Sequence, residues 1–173
     1  MKLAKHLYID DEETKFTAHM VSLKLSLGGV AIFTVASEIA PKKHQSVRFD
    51  IGYQGKINPW FEGYVDKVQP AENNHYKITV KEKSAILNFR VGISIEHATM
   101  REVIDELAEQ TALSFTLPDN TAYIDKVIPN FVSHGNGYQC LKAIGRAFNV
   151  PDLIWYQDTD QSIYCGAYQD SRF

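Results

Sequence analysis

Through the first half of the chain, apolar residues alternate with polar or small ones. Val21, Leu23, Leu25 and Leu27 form one such run, the period of a strand with one buried face. Gly28-Gly29 follows, and then Val30, Ile32 and Thr34 alternate with Ala31, Phe33 and Val35. Two strands joined by Gly-Gly predict a hairpin, because both turn positions require positive φ. A loop from Ser37 to Gln45 precedes a third alternating run, Val47, Phe49, Ile51 and Tyr53. Gln54 to Pro59 reads as a turn-rich stretch, Trp60 to Gln69 as a long strand, and Tyr76, Ile78 and Val80 as another strand after a polar turn. Five or six strands at short spacing, with no helix between them, predict a small antiparallel barrel or sandwich.

The period changes near Ser94. Thr99 followed by Glu102 is a capping-box pattern, and Met100, Val103, Ile104, Leu107 and Ala108 place one apolar stripe on a helix ending near Thr111. Leu113, Phe115 and Leu117 predict a strand, broken by Pro118, Asp119 and Asn120, with a second short strand around Lys126 to Ile128. Gly135, Asn136 and Gly137 open a second helix, whose face carries Tyr138, Leu141, Ile144, Gly145 and Phe148, and which Asn149 and Pro151 stop. Leu153 to Tyr156 and Ser162 to Cys165 form a hairpin across residues 158–161. The predicted class is α+β. An N-terminal antiparallel β-barrel or sandwich-like domain (1–95) is followed by a small two-helix α+β domain (96–173).

Composition narrows the function more by exclusion than by indication. The chain has 173 residues, 45% hydrophobic and 23% charged, which is ordinary globular composition. A formal net charge of -3 offers no basic excess for a nucleic-acid backbone. The acidic run Asp10, Asp11, Glu12 and Glu13 reads as a solvated loop. Two distant cysteines, Cys140 and Cys165, argue against a disulfide framework or a zinc ribbon. The opening residues contain no signal-peptide core, and no run reaches the length of a membrane span.

Chemistry-bearing constellations are sparse. His6, His19, His44, His75, His97 and His134 are scattered, at no metal-ligand spacing. Gly135-Asn136-Gly137 lacks the Lys and Ser/Thr of a phosphate loop and reads as a helix entry. A hydrolase on Cys140 and His134 is the only nucleophile–base pairing that proximity suggests, and a buried structural thiol is the default for Cys140. Glu102 and Glu106, beside Arg101, Asp105 and Glu109, read as a solvated helix face. The chain is therefore expected not to be an enzyme and to hold no cofactor or metal. The conspicuous local feature is the aromatic stretch Trp60-Phe61-Glu62-Gly63-Tyr64, with too few Arg and Lys around it for nucleic acid. Trp60, Phe61 and Tyr64 are the candidate assembly interface, with core packing as the competing role.

The segments Asn58 to Val68 and Tyr76 to Leu87 resemble the first barrel of phage tail-hub proteins. That family includes the hub of Mu-like prophages, the late-control D protein and the hub half of type VI secretion spike proteins. The shared pattern is an aromatic followed by x-Gly-x-Val (Phe61, Gly63, Val65), a connecting turn, and a strand running into a Leu-ending turn. In the family a helix-rich insertion follows, to which Thr99 to Phe148 corresponds, and the Trp155 to Gly166 hairpin also fits. The resemblance implies a virion component of the contractile-tail baseplate, assembled in the host cytoplasm. It implies a homotrimeric ring joining tail tube to spike around a lumen that DNA passes, with no membrane or sequence-specific nucleic-acid partner. Family members are usually longer, so the resemblance reads this chain as a fragment, a split hub or a reduced one. The second half, through Leu107 to Leu113 and Cys140 to Ile144, is also similar to the N-terminal domain of secretins and TonB-linked receptors. That likeness implies instead a binding module of a secretion system.

Overall fold

One strand, Lys56–Pro70, organises the first half of the molecule in this computed structural model, which describes residues 3–53, 55–119 and 122–173. The strands are β1 Leu3–Ile9, β2 Glu12–Glu13, β3 Phe16–Ser22, β4 Val30–Ala36, β5 Ser46–Tyr53, β6 Lys56–Pro70 and β7 His75–Lys81. They form a single antiparallel sheet in the order β2-β1-β5-β6-β7-β4-β3. The first half of β6 pairs with β5 and the second half with β7. Register shifts leave Trp60 and Asp66 as extra residues on β6. Such bulges bend a strand and raise its twist, so β6 turns a corner between the two parts of the sheet.

The corner folds the sheet over an apolar inner face. Leu7, Ala31, Phe33, Val35, Val47, Phe49, Phe61, Val65, Ile78 and Val80 are all buried. Phe33 on β4 and Phe49 on β5 are separated by two strands in the sheet order, yet their ring centroids lie 5.1 Å apart. Phe16, from edge strand β3, reaches Phe49 at 5.7 Å. The curl does not close. Among the described residues the sheet ends at β2 and β3, so the expected barrel or sandwich is an open, strongly curled sheet.

Several local expectations need correction. The predicted hairpin exists as β3–β4, but its turn runs from Leu23 to Gly29 rather than across Gly28-Gly29 alone, since Ser22 pairs with Val30. Leu23, Leu25 and Leu27 lie outside the strand and are 46%, 39% and 69% exposed. Residues Leu25–Leu27 group with the second unit, where the Ser26 N–H donates to the Trp155 carbonyl at 2.8 Å. Lys56 to Pro59 are strand, paired with Asp50 to Tyr53, not turn. Pro59 is tolerated there because it adjoins the bulge and this half of β6 pairs on one side only. Gln54, placed in the same stretch, lies outside the described residues. β1 and β2 carried no prediction, and the acidic run is not simply a solvated loop. Asp10 and Asp11 form a turn with positive φ (48° and 64°), and Glu12–Glu13 is β2.

By contact the chain divides into Met1–Lys24 with Gly28–Lys83 and Leu25–Leu27 with Ser84–Phe173. Residues 84–95, grouped with the first domain by patterning, thus fold with the second unit. That unit begins with a 3-10 turn and β8 Arg90–Ala98, then α1 Met100–Thr111, β9 Phe115–Thr116, β10 Ile128–Asn136, α2 Gly137–Ala147, β11 Leu153–Gln157 and β12 Ile163–Ala167. β8 pairs antiparallel with β10, and β11, β12 and β9 form a second small sheet. The capping box at Thr99 and Glu102 is present as expected. Asn136 and Gln139 make a second reciprocal box at α2. The helices bury Met100, Val103, Ile104, Leu107, Cys140, Leu141 and Ile144 against Val91, Ile93, Phe131 and Trp155. Two helices with small sheets match the α+β expectation. β8 is an additional strand, and β10 is longer than predicted.

The Phe61-x-Gly63-x-Val65 pattern has a structural reason. All three positions lie on the inner side of the corner strand. Phe61 and Val65 fill the core, at 2% and 0% exposure. A Cβ on Gly63 would meet the Lys81 carbonyl oxygen, at 2.1 Å. The bare glycine lets β7 end against the bend. Gly63→Ala should therefore lower stability by on the order of 2 kcal/mol, read as a reduced urea midpoint. The control is Gly92→Ala, where the added Cβ meets only the His134 ring at 3.9 Å and the midpoint should stay close to that of the parent. Equal effects at the two glycines would refute the close-approach account.

Candidate functional site

The period of two along a strand sorts the first unit into an inner and an outer face, and the three candidate residues divide between them. Phe61 sits opposite Phe49 on the inner face and is buried, so it belongs to the core. Trp60, the bulge residue, lies at the rim of that core, with its ring 6.3 Å from Phe49 and 47% of its surface exposed. Tyr64 pairs with Ser46 and Lys81 on the outer face, is half-buried, and stacks on His44 at 6.1 Å. Burial pushes the Tyr64 hydroxyl above its ordinary range. The structure does not bring the three into one patch. Only Trp60 and Tyr64 present surface.

The outer face around β1, β2 and β5 is built from charge. Tyr8 lies opposite both Arg48 and Glu13, His6 lies opposite Asp50, and Arg48 lies opposite Glu62. The Arg48 guanidinium rests 4.4 Å above the Tyr8 ring and 3.8 Å from Asp11. His6 Nδ1 meets Glu13 at 2.7 Å. Arg48 Nε and Asp50 Oδ1 are 3.3 Å apart as an ion pair, but neither has an aligned hydrogen bond among the described residues. Asp50 is 8% exposed, so its desolvation is offset only in part by this pair. Asp10 ties the turn to β5: its carboxylate accepts from the Ser46 N–H (2.8 Å) and the Gln45 side chain (2.7 Å). Those bonds, the Gln45 one foremost, hold its pKa below the usual carboxylate range.

The outer face around β7, β6 and β4 has the opposite character. Lys77, Thr79 and Lys81 share it with Lys67, which lies opposite Thr79, and with Thr34 and Ile32. Lys81 pairs with Asp66 at 3.0 Å. Lys67 and Lys77 are exposed, and Met20 on the adjoining β3 is 56% exposed.

The other sequence candidates fall apart in space. Cys140 is fully buried, accepts stabilisation from Ser133, and its thiol is pushed by burial up to about 11. His134 is exposed, one residue along β10 from the buried Ser133 and so on the opposite face. These two therefore do not form a nucleophile–base pair. Gly135-Asn136-Gly137 is a strand end and helix cap. Glu102 is engaged in its own cap, whose bonds to Thr99 lower its pKa. Among the described residues, no three His, Cys, Asp or Glu side chains gather to hold a metal, and no helix is long and apolar enough to cross a membrane.

This curled sheet followed by a two-helix α+β unit is a fold found in solved structures of phage tail proteins. The chain superposes on the 43 kDa tail protein of prophage MuSo2 from Shewanella oneidensis with a TM-score of 0.73, at 12% identity, over 96% of this chain and 56% of that one. It superposes on a tail protein of Neisseria meningitidis with a TM-score of 0.68, at 12% identity, over 99% of this chain and 53% of that one. An Escherichia coli component of the type VI secretion system, itself described as similar to T4 bacteriophage tail proteins gp27 and gp5, follows at a TM-score of 0.62 and 14% identity, over 92% and 48%. The resemblance drawn from the corner-strand motif and the order of elements thus holds in three dimensions. In sequence, the chain is 33% identical over all 173 residues to an uncharacterised 58.7 kDa protein of Haemophilus phage HP1, of which it spans 32%. No protein-family model matches it.

His19 gives this architecture a pH dependence. It lies across from Phe33, 5.2 Å from Phe49 and 5.6 Å from Phe16. Burial first, and then the Lys5 charge, lower its pKa from the ordinary imidazole value. A lowered folded-state pKa means that the unfolded chain takes up the proton first. Stability from this group is complete above about pH 6.5 and is lost as pH falls through the lower folded-state value. Urea midpoints at pH 7.5 and 5.5 should fall by more in the parent than in His19→Gln. An equal fall would remove His19 from this role.

Proposed function

We propose that the chain is a structural component of a phage or phage-like contractile tail, placed at the baseplate hub where the tube meets the spike. The observation that carries this reading is the superposition of nearly the whole chain, corner strand and α+β unit together, on prophage tail proteins. The phage relative in sequence supports the same source. In this reading the chain acts by geometry rather than by catalysis. Copies associate as a homotrimeric ring, with tube and spike proteins as neighbours, and the particle is assembled in the host cytoplasm. An open curled sheet favours such an assembly, because its unpaired edges are otherwise an aggregation liability that association covers. Trp60 and Tyr64 remain the interface candidates from the aromatic stretch.

A second reading is supported by the likeness to the type VI secretion component: a spike-like binding module of a secretion machine. Immunogold labelling of particles from the encoding phage or prophage separates the two. Label at the tail end is expected, and unlabelled intact tails would overturn the tail reading. Native mass spectrometry of the purified chain over a range of concentrations should show a species at three times the chain mass. A monomer throughout would remove the ring.

A further inference from the structure

The outer face of the first unit divides into two halves of opposite charge. On the half formed by β2, β1 and β5, with the adjoining part of β6, stand Asp11, Glu13 and Glu62, against Arg48, which is paired with the buried Asp50, and His6. On the half formed by β7, the far part of β6 and β4 stand Lys67, Lys77 and Lys81, against Asp66. Each half also carries an apolar element. In the acidic half it is Tyr8, whose ring underlies Arg48. In the basic half it is Met20, opposite Ile32 and more than half exposed.

We propose that this face is a self-docking surface: the acidic half of one copy seats on the basic half of a second copy. The proposal rests on the assembly reading above and names its contact. Charge complementarity identifies the occupant, since one chain carries both members of the pair. Like halves placed together repel, and like-charge juxtaposition selects strongly against wrong registers. Exposed Met, and Tyr beneath Arg, are the residue types enriched where protein surfaces desolvate one another. This surface differs from the aromatic stretch. Tyr64, stacked on His44, marks the boundary between the halves.

The test uses two variants of the full chain. Lys67→Glu/Lys77→Glu reverses the basic half, and Asp11→Lys/Glu13→Lys reverses the acidic half. All four side chains are exposed, so the fold should be kept, checked by circular dichroism and by a cooperative urea transition. Sedimentation velocity should show self-association of the parent weakening with added salt, and each variant alone weakened by on the order of 100-fold. An equimolar mixture of the two variants should recover association, which neither misfolding nor a lost unrelated contact would produce. If both variants assemble like the parent, this docking surface is wrong while ring assembly stands. If the parent is monomeric while immunogold still labels tails, the self-docking surface falls and the tail role survives. If the mixture fails to associate although each variant is weakened, charge pairing between these halves is refuted.

Discussion

The packing of Phe49 against aromatic rings from distant strands is the contact on which the first unit depends. Phe16, His19, Phe33 and Trp60 all lie within 6.3 Å of it, centroid to centroid. A flat sheet would hold Phe33 and Phe49 three strand spacings apart, roughly 14 Å at the usual interstrand distance. The contact therefore exists only because β6 bends. The bend in turn needs its two extra residues and a glycine where β7 ends. Aromatic pairing contributes about 0.5–1.5 kcal/mol per contact beyond burial. Core, corner and open edges are thus consequences of one strand that pairs with different neighbours along its length.

That dependence decides what the sequence disclosed. The alternation of Val30 to Val35, Val47 to Tyr53 and Tyr76 to Val80 marks β4, β5 and β7, because each buries one face along its whole length. The two helices were equally legible, since Thr99 and Glu102 announce a cap and the 3.6 period is unbroken. Leu23, Leu25 and Leu27 show the same alternation yet form no strand. Periodicity reports that a face can be buried, not that a neighbouring strand is available. Lys56 to Pro59 failed in the opposite sense. Their turn-like composition is compatible with a strand that pairs on one side and carries a bulge. β8 was not read, because the change of period near Ser94 masked the alternation of Val91, Ile93 and Ile95.

The aromatic stretch shows how a sequence candidate is sorted by structure. Trp60, Phe61 and Tyr64 look equivalent in a hydrophobicity pattern. Alternation assigns Phe61 to the core and Tyr64 to the surface, and the bulge leaves Trp60 between them. The bulge itself has no sequence signal, because it is a register shift between two strands. The acidic run, solvated as expected, was read only in part for a related reason. Its value as a turn, with Asp10 holding Ser46 and Gln45, appears only when β1 and β5 are side by side.

The same division separates fold from partner choice. The residues of the Phe61-Gly63-Val65 pattern all serve the inner face, so they specify the curl and say nothing about what the sheet meets. This is consistent with a fold shared with the MuSo2 tail protein at 12% identity. Outer positions are under no such packing constraint. A substitution such as Lys77→Glu leaves every inner contact in place while inverting the charge that a neighbouring molecule encounters. In the proposed assembly, specificity would then reside on the outer face of this chain, where the structure sets Asp11, Glu13 and Glu62 apart from Lys67, Lys77 and Lys81.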